Sequence, residues 1–154
     1  MQKGIATLEI VLVIFIIGLL ASCAVPNAVR IIDTVSLDYE TKRLYTELRF
    51  IQSFDRVAFM NDTHFGNDQK SRVRLVTFPE KYRVEKNDAP KIHCEHYFLN
   101  GVTVSEDKII KFDDMGKIDP ATSDTLTLTS RQGKQLYFVF DSVGRFRGSR
   151  TKPQ

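Results

Sequence analysis

Three groups of residues could carry chemistry in this chain. The first is one carboxylate, Glu9, within the otherwise uncharged apolar run from Ile5 to Val25. The second is the stretch His93-Cys94-Glu95-His96. The third is the basic C-terminus, where Arg145, Arg147, Arg150 and Lys152 follow the last acid, Asp141. They point to charge pairing in an apolar phase, to metal ligation and to phosphate contact, respectively.

The metal reading is the weakest of the three. On a strand, Cys94 and His96 face one way and His93 and Glu95 the other. A structural zinc takes four N or S ligands, and His64 is the one further histidine. No metal and no cofactor is expected. Cys94 reads instead as a small core residue on the face shared by Ile92, His96 and Phe98. Its partner for a disulfide would be Cys23, in the apolar run. A bridge needs Cα atoms within about 7 Å, so none is expected. No Ser-His-Asp set, phosphate-cradling glycine loop or spaced carboxylate pair is present, and the chain reads as non-enzymatic.

The 154 residues suffice for one domain, and the net charge of +3 by itself implies no partner. Charged residues make up 27% and alternate in sign, as solvated faces do. The apolar run is 21 residues long. A bilayer core needs about 20 helical residues, so the run can span one. A carboxylate costs roughly 2.5–3.5 kcal/mol near the centre of such a helix, and less near an end. Such a group calls for a named partner; the plainer alternative is a carboxylate near the interface that reaches water. Leu20-Ala21-Ser22-Cys23 also reads as a lipobox. That route would acylate Cys23 and discard everything before it.

The stretch KGIATLEIVLVIFIIGLLASCAVP resembles the N-terminus of type IV pilins and type II secretion pseudopilins. Met1-Gln2-Lys3-Gly4 fits the short basic leader of that family. The resemblance implies cleavage after Gly4 by a prepilin peptidase and N-methylation of Ile5. Glu9 then stands fifth, and Gly18 and Pro26 occupy the fourteenth and twenty-second places often held by Gly and Pro. Ile5 stands where Phe is commonest. The physical logic agrees with the resemblance. Two opposite charges that are each costly in an apolar phase become tolerable when paired. If Glu9 of one subunit meets the Ile5 amine of its neighbour, the pair sets the axial register. A partner without the complement is rejected.

Past Pro26 the pattern stays helical. Leu37, Leu44, Leu48, Ile51, Phe54 and Ala58 recur at helical spacing, so one helix is predicted from near Ile5 to about Met60. The proline is expected to bend it without ending it. Period-two patterns follow. Val73, Leu75 and Thr77 share one strand face. Asn100-Gly101 between two alternating runs predicts a β-hairpin, and Gln132-Gly133 predicts another. FDDMGKI from Phe112 and FDSVGRF from Phe140 echo each other as Asp-x-x-Gly turns whose glycines take positive φ. Two or three oxygens on such a turn fall short of a calcium site.

The expected fold class is α+β, a long N-terminal helix packed on a C-terminal antiparallel β domain. The expected divisions are a leader at 1–4, a transmembrane or filament-core helix at 5–26, an amphipathic continuation at 27–60 and a β-rich domain at 61–154. This layout is similar to the minor pseudopilin H and FimT group. LYTELRFIQSFDRVAF occupies that group's amphipathic section and VFDSVGRFRG its closing strand-turn. The resemblance implies a single-pass inner-membrane protein with its β domain outside the cytoplasm, partnered by other pilin or pseudopilin subunits in a filament or its tip. In FimT-like pilins of DNA-uptake systems a Gly-Arg-x-Arg motif contacts DNA, and Gly144-Arg145-Phe146-Arg147 has that form. A lipoprotein with a β binding domain is the reading from a different class.

Overall fold

A computed structural model describes residues 2–62, 73–86, 92–113, 116–118, 125–141 and 143–152, with only the backbone of 2–7, 55–62 and 92–93. One α-helix, α1, runs from Gln2 to Asp62 and continues through Pro26. Proline removes one backbone bond from a helix interior, and the apolar and helix-forming residues on both sides carry the helix past it.

α1 changes character along its length. Every residue from Leu8 to Ile32 is exposed. From Asp33 onward one stripe is buried: Asp33, Leu37, Glu40, Leu44, Leu48, Ile51 and Gln52. The leucines and Ile51 fall where the sequence pattern puts them. Phe54 does not; it is 41% exposed and packs beside Phe50, with ring centroids 6.1 Å apart. At 3.6 residues per turn Phe54 lies about 60° round from Ile51, on the side opposite Gln52. The β region covers the Gln52 flank. The side chain of Ala58 lies outside the described residues.

Two four-stranded antiparallel sheets complete the α+β layout. The first has the order β3-β2-β1-β5, from β1 (Val73–Phe78), β2 (Lys81–Lys86), β3 (Ile92–Tyr97) and β5 (Ile109–Lys111). The second has the order β4-β6-β7-β8, from β4 (Thr103–Val104), β6 (Thr125–Thr129), β7 (Gln135–Phe140) and β8 (Phe146–Ser149). β1 alternates buried and half-buried with Val73, Leu75 and Thr77 inward, as its pattern predicts. β6 and β7 form the predicted hairpin around Gly133, whose φ is 81°. β2 is not among the predicted strands.

The predicted hairpin at Asn100-Gly101 is absent, and a crossover takes its place. β3 pairs with β2 in one sheet, while β4 pairs with β6 in the other. Asn100 and Gly101 do take the positive φ that a tight hairpin asks for, 54° and 70°. They sit instead in a 3-10 turn, Leu99–Gly101, that hands the chain from sheet to sheet. The Phe98 N–H bonds Glu80 O and the Val104 N–H bonds Pro79 O, so the β1–β2 turn holds both sides of the crossover. One core then joins α1 to both sheets, with Leu44, Leu75, Tyr82, Ile110, Leu126 and Phe138 fully buried.

Candidate functional site

The buried stripe of α1 carries three polar residues. Each one binds a connection of the β region. Asp33, 2% exposed, accepts from the Ser130 hydroxyl (2.8 Å) and the Gln132 N–H (3.3 Å) in the β6–β7 turn. Glu40, fully buried, accepts from the Leu99 N–H (3.0 Å) at the crossover and lies 2.8 Å from His96 Nε2 on β3. Gln52 reaches the two Asp-x-x-Gly turns at once. Its carboxamide has two N–H donors; they go to Gly116 O (2.7 Å) and Gly144 O (2.8 Å).

Those turns are built alike, as the sequence echo suggests. In one, the Asp113 N–H bonds Lys117 O and the Gly116 N–H bonds Asp113 O. In the other, the Asp141 N–H bonds Arg145 O and the Gly144 N–H bonds Asp141 O. The glycines have φ of 75° and 82°. They also abut: a Cβ on Gly144 would stand 1.9 Å from Gly116 O. Gln52 clamps two touching turns to the helix. Gln52→Leu keeps the volume but deprives two buried carbonyls of donors. It is expected to lower the unfolding free energy of the detergent-solubilised chain by about 2–4 kcal/mol. Gln52→Glu should cost more, since acceptors would then face acceptors. Denaturant melts check both; a Gln52→Leu midpoint equal to wild type would remove the clamp from the account.

None of these three residues is among the predicted site residues. Their signal was spacing: Asp33, Glu40 and Gln52 fall in or beside the register of the leucine stripe. A polar residue there must find partners.

The His-Cys-Glu-His stretch is occupied by the fold. His96 faces Glu40, and Cys94 packs against the core. Glu95 lies between Lys81 and Arg83 (both 2.8 Å), which hold its carboxyl below the usual range. The side chain of His93, and His64 altogether, lie outside the described residues. Next to His96, burial pushes the Tyr82 phenol up to about 12, against the pull of the Arg43 guanidinium that donates to it.

The predicted assembly residues lie on the bare half of α1. Gly4 and Ile5 are in its first turns, and Glu9, Gly18, Cys23 and Pro26 follow along it. Glu9 is exposed among apolar neighbours, and nothing lies within 4 Å of a Cβ built on Gly18. None of the described elements of the β region covers this segment.

The basic C-terminus is gathered on and beyond β8 but is partly neutralised. Arg145 pairs with Asp141 (3.1 Å) and Arg150 with Asp38 of α1 (3.2 Å). Arg147 and Lys152 are exposed and have no partner among the described residues. Phe146 points inward, 5% exposed, edge-on to Tyr45 at 4.8 Å and under the Arg49 guanidinium at 4.9 Å. Its ring is unavailable for stacking on a base. The exposed cations can reach phosphate oxygens.

No family model, curated protein or solved structure matches the chain. The described features therefore stand on their own physics. One helix is long and apolar enough to cross a membrane, and its apolar part is bare. Its other half is tied by three polar side chains to two antiparallel sheets.

Proposed function

We propose that the chain is a minor pilin or pseudopilin, a structural subunit of a type II secretion pseudopilus or type IV pilus. The observation that carries this reading is the bare apolar helix from Leu8 to Ile32 with one exposed carboxylate, Glu9. Apolar surface of that extent needs lipid or other helices around it, and a lone carboxylate there needs a cation. The α-amino group of Ile5 on a neighbouring subunit, freed by cleavage after Gly4, supplies that cation. Held first in the membrane, the helix then moves into a filament core, where Gly18 and Pro26 shape its packing. The β region starts or caps the filament, or presents a surface at its tip.

The test is intact mass and N-terminal peptide mapping of protein from its own membranes. A methylated chain starting at Ile5 is expected; a chain starting at acylated Cys23 would replace the filament reading with a lipoprotein. Glu9→Leu should leave membrane insertion unchanged and reduce co-purification with filaments by tenfold or more. Normal incorporation of that variant would end the assembly role of Glu9.

A second reading, DNA contact, rests on Arg147 and Lys152, exposed and without a partner among the described residues, beside Arg145 and Arg150. Salt-sensitive gel shifts are expected to weaken in Arg145→Gln/Arg147→Gln, because fewer phosphates are neutralised. A shift unchanged by the double substitution would remove these arginines from the contact.

A further inference from the structure

A shallow, wide-open and mainly apolar cleft of about 540 Å³ lies where the β region first meets α1, lined by Asn27, Arg30, Ile31, Thr34, Val35 and Lys134. Lys134, in the β6–β7 turn, reaches across to donate to the Thr34 hydroxyl. Arg131 stands exposed in the same turn. Arg30 and Arg131 have no acidic partner among the described residues. The nearby acid, Asp33, is buried and already accepts from Ser130 and Gln132. Two cations, Arg30 and Lys134, thus line the cleft, while Asp33 is turned inward and Asp38, one turn past Thr34, is paired with Arg150. A cleft lined by one sign of charge raises the local concentration of anions.

Position along α1 indicates which anion. The run from Ile5 to Val25, at 1.5 Å per residue, is about 31 Å long and matches a bilayer's hydrocarbon core. Arg30 lies about 7–8 Å further on, and the headgroup layer is about 5–8 Å deep on each side. Asp33 is the first buried residue of α1, so the turn it holds is the described part of the β region nearest the run. We propose that this end of the β region docks on anionic phospholipid headgroups. Arg30 and Lys134 hold a lipid phosphate in the cleft, Ile31 and Val35 lie against its glycerol and upper acyl carbons, and Arg131 adds to the field. The proposal rests on the reading that Ile5–Val25 spans a bilayer.

The experiment uses the full chain in phosphatidylcholine vesicles with rising fractions of phosphatidylglycerol. An environment-sensitive fluorophore is attached at Gln132→Cys, with Cys23→Ser and Cys94→Ala. Alkaline carbonate extraction comes first. A chain that resists it supports the spanning reading; a chain that is extracted overturns that reading and the docking with it. In the resistant chain, the fluorophore is expected to shift to the blue as phosphatidylglycerol rises and to revert in salt. Arg30→Gln/Arg131→Gln/Lys134→Gln should reduce the docked population about tenfold or more. The distant pair Arg145→Gln/Arg147→Gln should leave it unchanged. An equal shift in pure phosphatidylcholine, a shift retained by the triple variant, or one lost equally in the distant pair would overturn the docking while the span stands.

Discussion

Gly144→Ala is expected to destabilise the fold by at least about 4 kcal/mol. Two causes add. The residue sits at φ 82°, a left-handed conformation that costs a side-chain-bearing residue roughly 1–2 kcal/mol. The new methyl would also fall 1.9 Å from Gly116 O, and a backbone oxygen cannot swing aside as a side chain can. The two turns must separate, and Gln52 cannot then hold both carbonyls. Gly133→Ala is the internal control. Its φ is 81°, but nothing lies within 4 Å of the added Cβ, so it bears the conformational strain alone. Thermal and denaturant melts of both variants in the same detergent separate strain from contact. Equal losses would mean that the turn–turn contact contributes nothing. Against a total stability of about 5–15 kcal/mol, the expected difference is large.

Glu40→Ala should also be strongly damaging, at about 3–5 kcal/mol. It leaves the Leu99 N–H without its acceptor, takes the carboxylate from His96 and opens space in the core. Glu40→Gln retains the size and one acceptor oxygen, so its loss should be smaller, about 1–2 kcal/mol. The sharper readout is local. Amide exchange at Leu99 should accelerate in Glu40→Ala well before global unfolding, because that bond anchors the crossover. A Leu99 amide as protected as in wild type would show that the crossover holds itself. A double-mutant cycle with His96→Ala gives the share that belongs to the pair.

The sequence was most readable where one period ran unbroken. The helix through Pro26, its leucine stripe, the alternation of β1 and the β6–β7 hairpin all follow from local patterns. The Asp-x-x-Gly echo gave both positive-φ glycines. The Asn100-Gly101 signal gave the backbone angles but not the connection. Angles are local, whereas the choice of a sheet partner for β4 depends on β6, more than twenty residues on. β2 escaped because Lys81, Arg83, Glu85 and Lys86 leave Tyr82 and Val84 as its only apolar inward residues. The most instructive omissions are Asp33, Glu40 and Gln52. Their positions mark them as inward-facing, but their polarity hides them from any search for apolar periodicity. The basic C-terminus shows the converse. All four cations are plain in the sequence, but the pairing of Arg150 with Asp38 joins distant parts of the chain and cannot be read locally.

The three polar ties have a mechanical consequence. Asp33, Glu40 and Gln52 span about 28 Å of one helix, and each grips a different connection of the β region. A pull along the helix axis loads these attachments in shear and together, so slippage requires several bonds to break at once. A sideways pull at either end would open them one after another, like a zipper. The helix is a rail that resists axial traction and yields to peeling.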